Sequence, residues 1–343
     1  MSATANPRLV WNERCHSFTP LGARLSGGPQ QDARCTTIAG DNIQALTCLQ
    51  NEISGQVTLA YLDPPFLTGR EHFRVERTKT ASGKILRQES RAFDDRWSSM
   101  GEYLSALESR VRLIRPLLAP HGSLVLHVDP KTSHYAKIVC DEIFGLDCFA
   151  SEVIWRYRRW PSKTKNFQRV HDVMLRYVKD PDTTPRFNQL YEPLAPSTQK
   201  TWGDRKQKAI TNSTGRRVRS SKTEEKSRGT PMGDVWEIGI VAPVAKERTG
   251  YPTQKPQALL KRWIEACTEP DDLILDPYMG SGTSLAVAHQ LGRRAIGIDM
   301  GEQAHEVTRA RLADLKVDVH ERKVEKPLAR AEQRGEKAHR QAV

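Results

Sequence analysis

Apolar and polar positions follow two rhythms along this chain. Nearly unbroken apolar runs at Val57–Leu62, Ser123–Val128, Leu273–Leu275 and Ala295–Ile298, with a shorter one at Thr36–Ala39, read as strands buried on both faces. Between them the apolar residues fall at helical spacing. Ile43, Ala45, Leu46 and Leu49 form one such set, with Asp41 or Asn42 as N-cap and Gly55-Gln56 as its close. Tyr103, Leu104, Leu107, Val111, Ile114 and Leu118 form another, and further helices are expected over 134–144, 258–267, 284–291 and 302–315. Residues 151–157 and 172–178 alternate like strands with no helix between them, which predicts an antiparallel hairpin at a sheet edge. Strands alternating with helices predict an α/β fold: a Rossmann-like, doubly wound sheet, mostly parallel, with that antiparallel edge hairpin.

The periodicity lapses in four places. Residues 1–35 read as an N-terminal arm packed loosely on the core. Residues 67–100 are polar and charged, with Gly69 and Gly83 as hinges, and read as a long loop, functional or disordered. Residues 181–247 read as a basic insertion dividing one α/β domain into 36–180 and 248–320, and 321–343 as a frayed, charged tail.

Charge sharpens this outline. The chain has 53 Lys and Arg against 41 Asp and Glu, a net +12, which suits a polyanionic partner such as nucleic acid. The excess is concentrated in the insertion, where residues 200–230 include Arg205, Lys206, Lys208, Arg216, Arg217 and Arg219 and few acids. The cysteines show no C-x-x-C and no His at zinc spacing, so reduced thiols and no structural metal are expected. With a polar N-terminus and no apolar run near ~18 residues, the expectation is a cytoplasmic, nucleoid-associated protein with no membrane partner.

Two strand ends carry the candidate chemistry. After Leu275 the chain runs Asp276-Pro277-Tyr278-Met279-Gly280-Ser281-Gly282-Thr283 into a helix. Glycine permits close backbone approach there, and a helix N-terminus attracts an anion. Asp299 ends the next strand, roughly 20 residues on, where such folds place the acid that accepts from ribose hydroxyls. The position of a third glycine is Leu285, which argues for a small carboxylate-bearing nucleoside over a dinucleotide. The second site is Asp63-Pro64-Pro65-Phe66, after Leu62. An acid beside backbone carbonyls offers only acceptors, which suits the two N–H groups of an exocyclic amine on adenine or cytosine, and Phe66 can stack on the base.

Together these two motifs resemble the S-adenosylmethionine-dependent amino-methyltransferases of DNA, in the permuted β group in which the amine-binding motif comes first. Gly40-Asp41, Phe93-Asp94-Asp95-Arg96-Trp97, His127-Val128-Asp129, Phe144-Gly145 and Tyr251-Pro252-Thr253-Gln254-Lys255-Pro256 add to the resemblance. It implies a circularly permuted methyltransferase topology and S-adenosylmethionine as cofactor. Asp63, Pro64, Pro65 and Phe66 would hold the target base, and Asp276, Pro277, Gly280, Gly282 and Thr283 the donor's methionine end. Asp299 would take the ribose, with Asp41 near the donor's adenine and Lys255 across the pocket. It further implies double-stranded DNA as partner, 181–247 as target-recognition region, and adenine N6 as target because of the acid at position 63. Room remains for a homodimer and a cognate restriction endonuclease. Phe66 stands where tyrosine is commoner, and Tyr278 where phenylalanine is. The rival readings are an N4-cytosine or RNA amino-methyltransferase, and a nucleic-acid-binding regulator that keeps the fold without catalysis.

Overall fold

The computed structural model describes residues 9–11, 14, 22–30, 33–79, 85–161, 163, 165–206, 209–219 and 225–325. Among these, ten strands build one sheet. Numbered along the chain they are β1 (Arg24–Leu25), β2 (Cys35–Ala39), β3 (Val57–Leu62), β6 (Leu118–Val128), β7 (Phe149–Arg156), β8 (His171–Val178), β13 (Val235–Glu237), β14 (Leu273–Asp276), β15 (Arg294–Asp299) and β16 (Val319–Glu325). Their spatial order is β1-β16-β2-β15-β14-β3-β6-β8-β7-β13. All neighbouring pairs are parallel except those of β8 with β6 and β7, and of β1 with β16. Every residue of β3 and of β14 is buried, as continuous apolar runs covered on both faces require.

Helices α1 (Asn42–Ile53), α2 (Met100–Ile114) and α3 (Ser133–Phe144) pack side by side, as do α5 (Gln257–Cys267), α6 (Thr283–Gln290) and α7 (Glu302–Asp314). The chain leaves β3 towards β6 on one side and β14 towards β15 on the other. The β14–β3 boundary is therefore the switch point at which such sheets bind ligands beyond their carboxyl ends. Asp63, Asp276 and Asp299 all lie at that edge, on three adjacent strands.

Several irregular stretches are more ordered than the sequence suggested. The described residues of the arm are not loosely packed: β1 extends the sheet, Trp11 Nε1 donates to Ser105 Oγ (2.8 Å), and Arg14 pairs with Glu108 (2.8 Å) and Glu142 with only 8% of its side chain exposed. The expected loop 67–100 contains an antiparallel hairpin, β4 (Glu71–Lys79) with β5 (Ile85–Asp94). The expected tail begins late, because residues 321–325 belong to β16, parallel to β2; residues 326–343 lie outside the described ones. The antiparallel hairpin β7–β8 forms, with β13 pairing parallel to β7 outside it.

Residues Asn188–Asp234 form a second compact unit. It holds helix α4 (Pro196–Trp202), the strand pair β9 (Tyr191–Glu192) with β12 (Thr230–Pro231), and the hairpin β10 (Ala209–Thr211) with β11 (Arg217–Arg219). Among the described residues no helix is long and apolar enough to cross a membrane. Five described cysteines are free, and burial pushes the Cys35 thiol up to about 12, far from a reactive thiolate.

Candidate active site

Pro64 and Pro65 end β3 because neither offers an N–H to a neighbouring strand. The next three N–H groups converge on one carboxylate. Asp95, almost wholly buried, accepts from the backbone N–H of Phe66 (3.2 Å), Leu67 (2.9 Å) and Thr68 (2.9 Å), and also from Thr68 Oγ1 (2.5 Å) and Trp97 Nε1 (3.2 Å). Leu67 sits at φ +57°, a left-handed conformation those bonds hold in place. Asp95 lies within Phe93-Asp94-Asp95-Arg96-Trp97, where neither spacing nor residue type announces this anchoring role.

Asp63 faces the cavity in two different states of satisfaction. Its Oδ2 lies 2.5 Å from Lys255 Nζ, which also sits 4.9 Å from the centre of the Phe66 ring. Its Oδ1 is buried with no hydrogen-bond partner. His127 Nδ1, 3.8 Å from that oxygen, is already engaged with the Tyr61 hydroxyl (2.8 Å). Burial, reinforced by Asp63 and Asp276, holds the Tyr61 phenol well above its ordinary value, so the hydroxyl keeps its proton and donates to Nδ1. The fully buried His127 then carries its proton on Nε2 and donates it to Asp172 (3.2 Å), which also accepts from Tyr157 Oη (2.9 Å). Both ring nitrogens of His127 are thus within hydrogen-bond distance of other partners, Nδ1 of Tyr61 and Nε2 of Asp172, and its role is structural.

Lys255 reaches Asp63 because Gln254 pins the preceding loop. The Gln254 side chain accepts from Thr249 N (2.8 Å) and Oγ1 (2.9 Å) and donates to Glu247 O (2.6 Å), with Thr253 at φ +58°. The resemblance set Lys255 across the donor pocket; in the structure its ammonium lies on Asp63.

At the second strand end, Asp276 accepts from Tyr278 N (3.0 Å) and from Ser284 Oγ at the start of α6. Burial pushes its carboxyl up to about 7 against those bonds. Asp299 accepts from Gly280 N (3.0 Å) and Gly301 N (2.8 Å), and burial raises it too. Gly280 and Gly282 both adopt positive φ, +47° and +66°. Only Gly280 faces the cavity. A Cβ on Gly282 would stand 2.6 Å from Thr308 Oγ1, so that glycine serves packing against α7. Leu285 occupies the place of a third glycine because the glycine has moved to the opposite element: a Cβ at Gly297 in β15 would meet Leu285 Cδ1 at 2.8 Å.

One cavity of about 590 Å³ joins both strand ends. Asp63, Pro64, Pro65, Phe66 and Lys255 line one part of it, and Asp276, Pro277, Gly280, Thr283 and Asp299 the other. Asp41 is absent from the lining. Its carboxylate turns back to cap α1, accepting from Ile43 N (3.0 Å) and Gln44 N (3.2 Å). The neighbouring Asn42 takes the pocket position, donating to Pro277 O (3.0 Å) and accepting from Arg110 Nε (2.8 Å). The hairpin β4–β5 contributes His72, Arg91, Ala92 and Phe93 to the same wall, which no periodicity announced. Of the candidate DNA contacts, Arg205, Lys206 and Arg216 are exposed in the second unit, with Lys206 2.8 Å from Glu225. Arg217 and Arg219 lie in β11, and Lys208 lies outside the described residues.

A doubly wound sheet with three acids around a cavity at its switch point defines a nucleoside-binding α/β protein. A family profile described as DNA methylase matches residues 57–310. The chain belongs to this N6/N4 DNA methylase family. It is 27% identical over 269 residues to the type II methyltransferase M.HpaI of Haemophilus parainfluenzae, covering 78% of this chain and 72% of that one. It is 26% identical over 269 residues to the DNA adenine methyltransferase YhdJ of Escherichia coli (strain K12), covering 78% and 79%. The solved PvuII DNA methyltransferase, cytosine-N4-specific, superposes with a TM-score of 0.51 over 84% of this chain and 95% of that one; at 14% identity this bears on the fold alone.

Proposed function

We propose that the chain transfers a methyl group from S-adenosylmethionine to the N6 amine of adenine in DNA. The observation that carries this is Asp63 Oδ1, a buried acceptor with no donor, lining the same cavity as the buried Asp276 and the half-buried Asp299. An unsatisfied buried acceptor of this kind costs about 1–3 kcal/mol, which an incoming N–H recovers. Lys255 fixes the other oxygen, so Asp63 presents Oδ1 in one orientation. A backbone carbonyl at Pro64 takes the amine's second N–H, and Phe66 supplies a stacking face. With both N–H groups held, the nitrogen lone pair is directed out of the base plane.

The donor supplies an electrophilic sulfonium methyl. The residues present fit it: Asp276 suits its ammonium, Asp299 its ribose hydroxyls, and the N–H groups at the start of α6 its carboxylate. Membership of the DNA methylase family supports DNA methylation, and the likeness to YhdJ, a DNA adenine methyltransferase, supports the adenine assignment, as does the acid at position 63. The exposed cations of the second unit, Arg205, Lys206 and Arg216, are assigned to DNA phosphates.

Labelled methyl transfer to duplex DNA, followed by nuclease digestion, tests the reading. N6-methyladenine is expected. N4-methylcytosine would overturn the choice of base, and DNA binding without transfer would favour the regulator reading.

Donor affinity should also depend on pH through Asp276. A carboxyl at about 7 is half protonated near neutrality, and an ammonium ligand requires the ionised form. Below that value the proton must be displaced, so the donor Kd should rise by up to about ten-fold per pH unit as pH falls, and level off above it. Calorimetry on the wild type and Asp276→Asn checks this: the substitution should weaken binding and remove the slope. A wild-type Kd that stays flat from about pH 5.5 to 8 would take Asp276 off the ammonium.

A further inference from the structure

The connection between β7 and β8 carries two large aromatic side chains that pack on nothing. Trp160 is 92% exposed and Phe167 98% exposed. Each presents on the order of 150–250 Å² of apolar-rich surface to water, an arrangement without value to the fold itself. Around them lie Arg158, Arg159, Lys163, Lys165 and Arg169, with no acid anywhere between Tyr157 and Val170. We propose that this loop inserts Trp160 and Phe167 into the base stack of duplex DNA beside the target nucleotide, while its cations hold the flanking phosphates. This rests on the transferase reading above and adds how its substrate is opened.

Three features favour DNA as the occupant. First, the charge is of one sign and interleaved with aromatics, the composition that stacks on bases and tracks a phosphate backbone. Second, the loop is pre-organised. Tyr157 N donates to Val170 O (2.9 Å), Gln168 Nε2 donates to Trp160 O (2.9 Å), and Phe167 N donates to Asn166 Oδ1 (2.8 Å). Pro161 stiffens the chain after Trp160, and the Arg159 guanidinium lies 5.1 Å from the centre of the Tyr157 ring. The backbone that carries the two aromatics is thus held by these bonds.

Third, the loop is linked through a chain of side chains to Phe66, which lines the cavity. β7 runs parallel to the main strands and β8 returns antiparallel, so their connection lies at the same carboxyl edge as Asp63. Arg169 pairs with Asp129 (2.5 Å), just beyond His127, and Tyr157 Oη reaches His127 through Asp172. His127 in turn packs 5.4 Å from the Phe66 ring. Extruding a base costs a few kcal/mol in lost stacking and pairing. Aromatic side chains entering the stack beside it recover part of that, and the contact tolerates any sequence because every base has a π-face.

The test uses a Trp160→Ala/Phe167→Ala double variant and two duplexes. One holds the target adenine paired; the other holds it opposite an abasic site, already unpaired. Both residues are exposed, so thermal midpoint and donor affinity should match the wild type. Transfer to the paired duplex should fall by about ten-fold or more, and transfer to the unpaired one should stay within about two-fold. A Trp160→Phe/Phe167→Trp exchange should retain activity on both. Equal losses on the two duplexes, or no loss on either, would overturn the insertion. If the wild type methylates neither duplex, the transferase reading falls and binding decides the loop alone. The double variant must then lose affinity for the paired duplex more than for the unpaired one; unchanged affinities would overturn it, and would leave a protein as the loop's partner.

Discussion

Replacing Asp63 by Asn is expected to cut methyl transfer about 10³-fold while leaving the S-adenosylmethionine Kd within about three-fold. The asymmetry of the native carboxylate gives the reason. The Lys255 side chain is only 11% exposed, so its ammonium requires an acceptor, and Asp63 Oδ2 supplies it at 2.5 Å. An Asn amide must therefore turn its oxygen to Lys255, which places its NH2 where Oδ1 stood. A donor then faces the donor groups of the target amine, so the site repels the group it should hold. Asp63→Ala is the poorer experiment, because it strands a mostly buried ammonium, a loss that reaches about 3–5 kcal/mol when a charge is fully enclosed. Asp276 and Asp299 stand on other strands and keep their partners, so donor binding should persist. Single-turnover transfer and calorimetry on one preparation separate the two effects. An Asp63→Asn enzyme within about ten-fold of wild type would place the amine elsewhere.

The residues legible in the sequence were those at the ends of apolar runs. Val57–Leu62 and Leu273–Leu275 could only be strands covered on both faces, so the acids after them had to emerge at a sheet edge. That two strands so far apart in the chain are neighbours came from resemblance, because pairing leaves no periodic trace. Asp41 and Asn42 show the next limit. Both are good helix caps, and the side chain that turns inward decides which one is left to face the cavity. β16 escaped notice because its one deeply buried position is an arginine: Arg322, 4% exposed, satisfies its charge on Glu52 (2.9 Å) and on backbone carbonyls. A polar strand of this kind, one in from the sheet's edge, resembles a solvated tail until its partners are known. The hairpin β4–β5 was hidden similarly, as its alternation is weak and its charges are dense. A tryptophan is ordinarily a packing residue, but the structure leaves Trp160 in solvent, so exposure carries information that composition lacks.

Asp95 was the most consequential omission, and its removal is expected to destabilise the protein by about 3 kcal/mol and to impair transfer. One carboxylate there receives five donors, three of them successive backbone N–H groups immediately after the Asp-Pro-Pro turn. Charge-assisted bonds contribute about 1.5–3 kcal/mol each, but they share one acceptor group, and Thr68 is exposed enough for water to replace its partner. The expected total is therefore near that of one or two bonds. The mechanical consequence is larger than the energetic one. Without Asp95, Leu67 at φ +57° loses the bonds that justify a left-handed conformation, so the segment should relax and carry Phe66 away from Asp63 and Lys255. Asp95→Ala should lower the urea midpoint and reduce kcat about ten- to hundred-fold at saturating DNA, with the donor Kd little changed because Asp276 and Asp299 do not touch Asp95. Asp95→Asn retains one acceptor oxygen and should recover part of both. That graded series separates an anchor from a catalytic group. An Asp95→Ala protein with a normal midpoint and normal transfer would show that the two prolines alone set the path of the chain beside the base.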